Sequence, residues 1–441
     1  MRMSAYLADD SRSKQLYERG LSVMPGGNSR HTVVMQPYPV YVASGQGCRV
    51  VDVEGEERID FVNNYTSLIR GHADPVVTEA VTEVIRHGTA FSLPTETDIR
   101  FAEMLVERIP YIDQIRFANS GSEGVMLALR AARAYTERPK IAKFEGCYHG
   151  LYDYAQASDS SRPGTWGPPN RPQTTLESSM APSVANDVVT LPFNRPEICE
   201  QLIEENAHDL AAVLIDPLPA ALGLMPPVDG FLEFLREITT RYGILLVADE
   251  VLSFRVDYRG ACHAHGIEPD LVALGKIIGG GFPVGAVAGK AHVMEVFDHR
   301  VHEKVHHGGT YNANPVTMVA GYESMRQMTE EEYDRLDALG AYLSTALEDM
   351  LTARGLPHRI HRRGSLFAIL LTDQETADFR DVTKARAFRP ELGKLVHEML
   401  ARGILLGTRG LFGALSTPME KEDLDTFVAA LDESFDALGV P

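Results

Sequence analysis

The sequence predicts an α/β fold, a large domain built on a mostly parallel sheet with a smaller α+β domain assembled from both termini. Three observations predict it. Short apolar runs at 211–215, 244–248 and 271–274 are each bounded by turn residues or charges, the pattern of strands buried on both faces. Strand-like and helix-like stretches alternate from Gln114 through Lys276, as parallel strands joined by crossovers require. Finally, Asp249 and Lys276 fall just past the ends of two of these runs, and the C-terminal edge of an open parallel sheet is where ligands bind.

Taken in order, residues 11–21 have helical character and lead into Met24-Pro25-Gly26-Gly27-Asn28-Ser29-Arg30, a loop by its Pro, Gly and Asn content. Arg30 is the cation of that loop; its planar fork suits a carboxylate, and a solvated surface arginine would look the same. Residues 38–61 read as short alternating strands with turns at Gly45-Gln46-Gly47 and Glu54-Gly55-Glu56. Helical patterns follow at 76–87 and 95–109, then a strand at 114–118. That strand opens into Asn119-Ser120-Gly121-Ser122-Glu123-Gly124 and a helix over 125–135. Free amides and two hydroxyls at a helix start can cradle a phosphate, and plain N-capping by Ser120 or Ser122 is equally compatible.

The strand at 140–145 ends at Gly146-Cys147-Tyr148-His149-Gly150, where Tyr148 can stack on a planar ligand or simply pack. Residues 157–185 turn polar and rich in Pro, Ser and Thr, a long loop or lid that contains Trp166, the only tryptophan. Asp216-Pro217 closes the 211–215 strand, and a helix spans 231–242. Residues 271–289 are apolar apart from Lys276, but their glycines and Pro283 predict strand, turn and strand, not a membrane span. His302, His306 and His307 invite a metal, yet no carboxylate or thiolate pattern completes a site, so no metal is predicted. Helices at 316–328 and 330–354, strands near 366–371 and 405–406, and a helix at 421–438 form the C-terminal lobe. It carries a second loop arginine, Arg409, in Gly407-Thr408-Arg409-Gly410. The expected division is 1–60 and 316–441 for the small domain and 61–315 for the large one.

At 441 residues the chain exceeds one ordinary core. Its formal net charge of −19 argues against general nucleic-acid binding or anionic membranes, both of which need basic surface. Cys48, Cys147, Cys199 and Cys262 form no CxxC pair, and the N-terminus carries acids where an export signal needs an apolar stretch. Reduced thiols in a cytoplasm are the expectation.

A carboxylate and an amine converging at a sheet edge suit one chemistry. A lysine amine forms a Schiff base with the aldehyde of pyridoxal phosphate, and an aspartate keeps the ring nitrogen protonated so that the ring draws electrons. The plainer alternative is that Asp249 caps a helix and Lys276 is a solvated loop residue. No G-x-G-x-x-G follows a first strand, which disfavours a dinucleotide-dependent oxidoreductase. A non-catalytic binding protein would leave both Lys276 and Asp249 unexplained.

Five motifs in order, NSGSEG, EGCYHG, LVADEV, LGKIIGGGFPVGA and GGTYNANP, resemble the class III aminotransferases of the fold-type I pyridoxal phosphate enzymes. The resemblance covers nearly the whole chain and lies nearest the branch of glutamate-1-semialdehyde aminomutase and the β-phenylalanine (β-amino acid) aminotransferases. The loop MPGGNSR and the late TRG look like the latter in particular. The resemblance implies Lys276 as the Schiff-base lysine and Asp249 as the partner of the pyridine nitrogen. It further implies Ser120, Gly121 and Ser122 as the phosphate cradle, Tyr148 stacking on the ring with His149 beside it, and Val251 on the opposite face. Thr310 would bind the phosphate held by the other subunit of a homodimer. Arg30 would hold the carboxylate of a β-amino acid donor, and Arg409 that of a 2-oxo acid acceptor such as 2-oxoglutarate or pyruvate. An aminomutase, which moves the amine within one molecule, is the rival implied by the same branch. Two positions depart from the family pattern: Asp216 where most relatives have glutamate before proline, and Ser122 where they have threonine.

Overall fold

The computed structural model describes residues 5–301, 304–387, 393–407 and 411–440. The chain forms two units. The smaller comprises Met1–Pro75, Asp334–Gln374 and Ala385–Pro441, and the larger Val76–Tyr333 and Glu375–Lys384.

In the smaller unit the helix Arg12–Leu21 is capped by Ser11, whose hydroxyl accepts the Lys14 N–H at 3.1 Å. β1 (Val42–Gln46), β2 (Arg49–Asp52) and β3 (Glu57–Asp60) form an antiparallel meander, and Ile404–Leu405 adds in parallel to β3. The first turn is tighter than its residues suggest: β1 runs through Gly45 and Gln46, and Gly47 alone of the three takes a positive φ, 57°. Arg359–Arg363, Leu366–Leu370 and Phe412–Ala414 make a second antiparallel sheet. The first and last of these have no apolar alternation to read in advance. The terminal helix Lys421–Leu438 brings Phe427 against Phe61 and Phe367, with ring centroids 4.5 and 5.4 Å away.

The larger unit holds β4 (Gln114–Ala118), β5 (Lys140–Phe144), β6 (Val188–Leu191), β7 (Leu210–Ile215), β8 (Leu245–Asp249), β9 (Leu271–Gly275) and β10 (Gly285–Gly289). They form one seven-stranded sheet in the order β4-β10-β9-β8-β7-β5-β6. All neighbours from β9 to β6 are parallel, and β10 runs antiparallel to both β9 and β4. Residues 271–289 are thus strand, turn and strand. β7 to β10 are buried along their whole length, which is why they read as continuous apolar runs.

The helix Gly121–Thr136 lies on this sheet. Its Ala128, Leu129, Ala131 and Ala132 share a buried cluster with Ala212, Leu214, Val247, Leu271, Ala273 and Val287. A Cβ at Gly124 would stand 2.6 Å from the Ala286 carbonyl oxygen, so the close approach of helix to strand requires glycine there. The topology has one functional consequence. Because β4 and β9 are both antiparallel to β10, strands β4 to β9 all end on the same edge of the sheet. No described helix is long and apolar enough to cross a membrane.

Candidate active site

Four of the six strand ends on that edge lead into a residue singled out in the sequence, Ser120 after β4, Asp216 after β7, Asp249 closing β8 and Lys276 after β9, while β5 leads into Glu145 and the turn that carries Tyr148 and His149. Asp249 is the last residue of β8 and lies inside the strand rather than just past it. Its side chain is fixed at both oxygens: Oδ1 accepts the Val251 N–H at 3.0 Å, and His149 Nδ1 lies 2.7 Å from Oδ2. A carboxylate only accepts, so Nδ1 carries the proton that bridges them. The adjacent acid faces elsewhere. Glu250 is fully buried and accepts from the Tyr111 hydroxyl at 2.5 Å and from the Ala261 and Cys262 N–H groups at 2.6 and 3.1 Å. Of the Asp-Glu pair, one serves the site and the other ties the chain after β8 into the core.

Lys276 is a non-glycine residue with φ of +48°, a left-handed conformation that costs about 1 kcal/mol and persists where surrounding packing imposes it. Desolvation pushes its amine below the ordinary lysine value; Asp249 and Asp216 oppose that shift, and buried Arg255 adds to it. Asp216 is pushed up to about 8, by burial first and by the charge of Asp249 second. Its Oδ1 accepts the Leu218 N–H at 2.9 Å. At neutral pH Asp216 is therefore largely protonated.

The helix after β4 begins earlier than its apolar pattern indicates, at Gly121, so Gly121 and Ser122 are its first-turn residues and Ser120 is the N-cap. Ser120 Oγ accepts the Glu123 N–H at 3.2 Å, so capping is one of its roles. Ser122 Oγ accepts the Leu151 N–H at 3.3 Å, which ties this turn to the segment carrying Tyr148 and His149. A Cβ at Gly121 would stand 2.7 Å from Val251 Cγ1, and one at Gly275 3.2 Å from the same atom. Val251 is thus seated between the helix start and the residue before Lys276. Tyr148 is 56% exposed, while His149 is buried. Thr310 is exposed on a loop anchored by Asn312, whose Oδ1 accepts Asn119 Nδ2 at 2.7 Å.

Arg30, in the smaller unit, donates from Nη1 to Asn64 Oδ1 at 3.0 Å, and its backbone N–H is held by Asn28 Oδ1 at 3.0 Å. Arg409 lies outside the described residues. Sequence reading missed Glu145 and Arg380 as partners: they form a buried bidentate ion pair at 2.7 and 3.1 Å across 235 positions. The quoted EGCYHG motif contained the only hint, its glutamate.

Pyridoxal phosphate requires an amine, a carboxylate, covers for a flat ring and an anion seat at a helix start. The residues fit each need. Gly121 leaves the first position of its helix without a side chain, where backbone amides and the helix dipole favour an anion. His149 Nε2 is buried without a hydrogen-bond partner among the described residues, the mark of a site completed from outside the chain. By contrast, no cluster of metal-ligating side chains occurs among the described residues.

Comparison with known proteins agrees with this geometry. The aminotransferase class-III family matches residues 31–434. Glutamate-1-semialdehyde 2,1-aminomutase 2 of Geobacillus kaustophilus is 40% identical over 436 residues, 96% of this chain and 98% of that protein. An omega-transaminase from Sphaerobacter thermophilus superposes with a TM-score of 0.96 at 49% identity, over 98% of this chain and 99% of that one. A β-phenylalanine aminotransferase from Variovorax paradoxus gives 0.86 at 33% identity, over 97% and 94%. With the match extending through both units, the chain belongs to the class III aminotransferases, fold-type I enzymes that depend on pyridoxal 5′-phosphate.

Proposed function

We propose that the chain moves an amino group from a β-amino acid, aromatic such as β-phenylalanine, to a 2-oxo acid such as 2-oxoglutarate or pyruvate. The observation that carries the reading is the placement of Asp249 and Lys276 at the ends of two adjacent parallel strands, β8 and β9. When bound, pyridoxal phosphate supplies an aldehyde for an amine and a ring that accepts the electron pair freed at the amine-bearing carbon.

The chain's own residues do the rest. Ser120, Gly121 and Ser122 hold the phosphate at the helix start, and Thr310 of a second copy adds to that seat in a homodimer. The Asp249 carboxylate holds the proton on the ring nitrogen, and the Val251 N–H and His149 keep it from turning away. Tyr148 and Val251 cover the two faces. Asp216 lies close enough to Asp249 to feel its charge and is one methylene shorter than glutamate. Lys276 would hold the aldehyde, and as a free amine it would take the proton from the amine-bearing carbon of the donor, as a general base. The desolvation that lowers its proton affinity keeps more of it as the free base at any given pH. Arg30, steadied by Asn64, takes the donor carboxylate, and Arg409 that of the acceptor. A cytoplasmic setting goes with four buried free thiols.

The 40% identity to a protein named as an aminomutase favours a second reading, transfer of the amine within one molecule. Supplying β-phenylalanine with and without 2-oxoglutarate separates the two. We expect product only when the acceptor is present, in an amount that follows the acceptor added. Conversion at the same rate without it would establish the aminomutase reading instead. Arg30→Ala is expected to raise KM for the β-amino acid about 10- to 100-fold with kcat little changed, the value of a lost charge-assisted pair. A primary amine donor without a carboxylate should react equally with both proteins; equal loss on both donors would remove Arg30 from the substrate site.

A further inference from the structure

The loop that follows Tyr148 and His149 is polar and proline-rich, yet it is folded on itself. The Ser158 N–H donates to the Thr175 carbonyl at 2.8 Å, the Thr175 N–H returns to Ser158 Oγ at 3.0 Å, and the Gln173 N–H donates to the Trp166 carbonyl at 2.8 Å. A side chain distant in sequence reaches its Trp166-Gly167 stretch. Arg380, 7% exposed, donates from Nη2 to the Trp166 carbonyl at 2.5 Å and from Nη1 to the Gly167 carbonyl at 2.9 Å, with its guanidinium 4.9 Å from the Trp166 ring centroid. The same guanidinium forks onto Glu145 at 2.7 and 3.1 Å, with side-chain exposures of 9% and 3% for the pair.

Glu145 is the first residue after β5, four before His149. The turn between them is packed against the neighbour of Arg380: Gly146 has φ of +76°, and a Cβ there would stand 2.0 Å from Phe379 Cδ2. Buried Lys143 closes the other side, donating to the Cys147 and Ala157 carbonyls at 2.9 and 2.6 Å. The segment carrying Arg380 is itself fastened within the larger unit, where Arg195 donates to Asp378 Oδ2 at 2.9 Å.

We propose that Arg380 is a positioning residue that latches the Pro-rich loop to the Glu145–His149 turn, so that the folded loop and the seat of the cofactor ring hold or loosen together. This rests on the reading of Tyr148 and His149 as ring contacts. The physical reason is that both attachments share one guanidinium. If it leaves, Glu145 and the Gly167 carbonyl lose this partner and the Trp166 carbonyl is left with the Gln173 N–H alone, and a buried carboxylate without its cation is strongly unfavourable. Lysine, a single point charge, can serve one attachment but not the fork and both carbonyls.

Trp166 is the sole tryptophan, so its fluorescence reports on the loop alone. In the full-length protein freed of cofactor, Arg380→Ala is expected to increase acrylamide quenching of Trp166 several-fold and to weaken pyridoxal phosphate binding about tenfold, the scale of a typical coupling between two sites. Coupling is reciprocal, so adding the cofactor to the unaltered protein should lower quenching. Arg380→Lys should fall between. Arg354→Ala, which removes an arginine paired with Asp432 and Asp436 in the smaller unit, controls for general destabilisation and should move neither readout. If Arg380→Ala does not fold, Glu145→Gln is read the same way. Unchanged quenching, or increased quenching with unchanged cofactor affinity, overturns the latch. Tyr148→Ala tests the underlying reading separately: full cofactor affinity in that variant sinks the role of Tyr148 and leaves the Trp166 result standing.

Discussion

The Lys276→Ala protein is expected to lose turnover by about 10⁴-fold or more while still binding pyridoxal phosphate, because in the proposed mechanism the lost amine serves both as covalent anchor and as general base. The other residues proposed to hold the cofactor, Ser120, Ser122, Asp249 and Tyr148, are untouched by the change, since Lys276 lies in the turn between β9 and β10. Alanine at a φ of +48° costs about what lysine already costs there, so the fold should survive. Steady-state kcat, with equilibrium dialysis for the cofactor, makes the check. A small primary amine added to the variant should restore part of the rate by supplying the missing base. Retention of ordinary transaminase activity would contradict the assignment of Lys276.

Asp249→Asn is expected to lower kcat about 10³-fold, the cost of removing a preorganised charge from the place where it stabilises the transition state. Asparagine keeps the shape and can still accept the Val251 N–H, so the change isolates charge from geometry. The effect should be large because no neighbour substitutes. Glu250 is turned into the core by Tyr111, Ala261 and Cys262, and Asp216 is held largely protonated by burial and by Asp249 itself. In the variant the repulsion from Asp249 vanishes, and Asp216 should ionise at lower pH than before. Single-turnover rates with a saturating donor, measured across pH, test both points. A rate within about threefold of the unaltered protein would mean that Asp249 is only a structural partner of His149.

The strands that position these residues were legible in advance for a simple reason. β7, β8 and β9 are buried on both faces and so appear as unbroken apolar runs ending at an acid or an amine. Their parallel arrangement followed from the helices between them. The start of the helix at Gly121 was less legible, because glycine and serine are poor helix formers that enter the first turn only when a cap and a close strand admit them. β6 and the helix Pro196–Asn206 lie beyond the polar loop and went unread.

By itself the sequence determined the sheet's core strands, the order of the five motifs and hence the family, together with the residue types able to do the chemistry. All of these are local in the chain: runs of side chains, spacings and turns. The tertiary structure decided which of Asp249 and Glu250 faces the site, that β10 reverses direction so that six strands end on one edge, and that Arg380 meets Glu145. These depend on strand pairing and on contacts between residues up to 235 positions apart, and neither leaves a periodic signal in the chain.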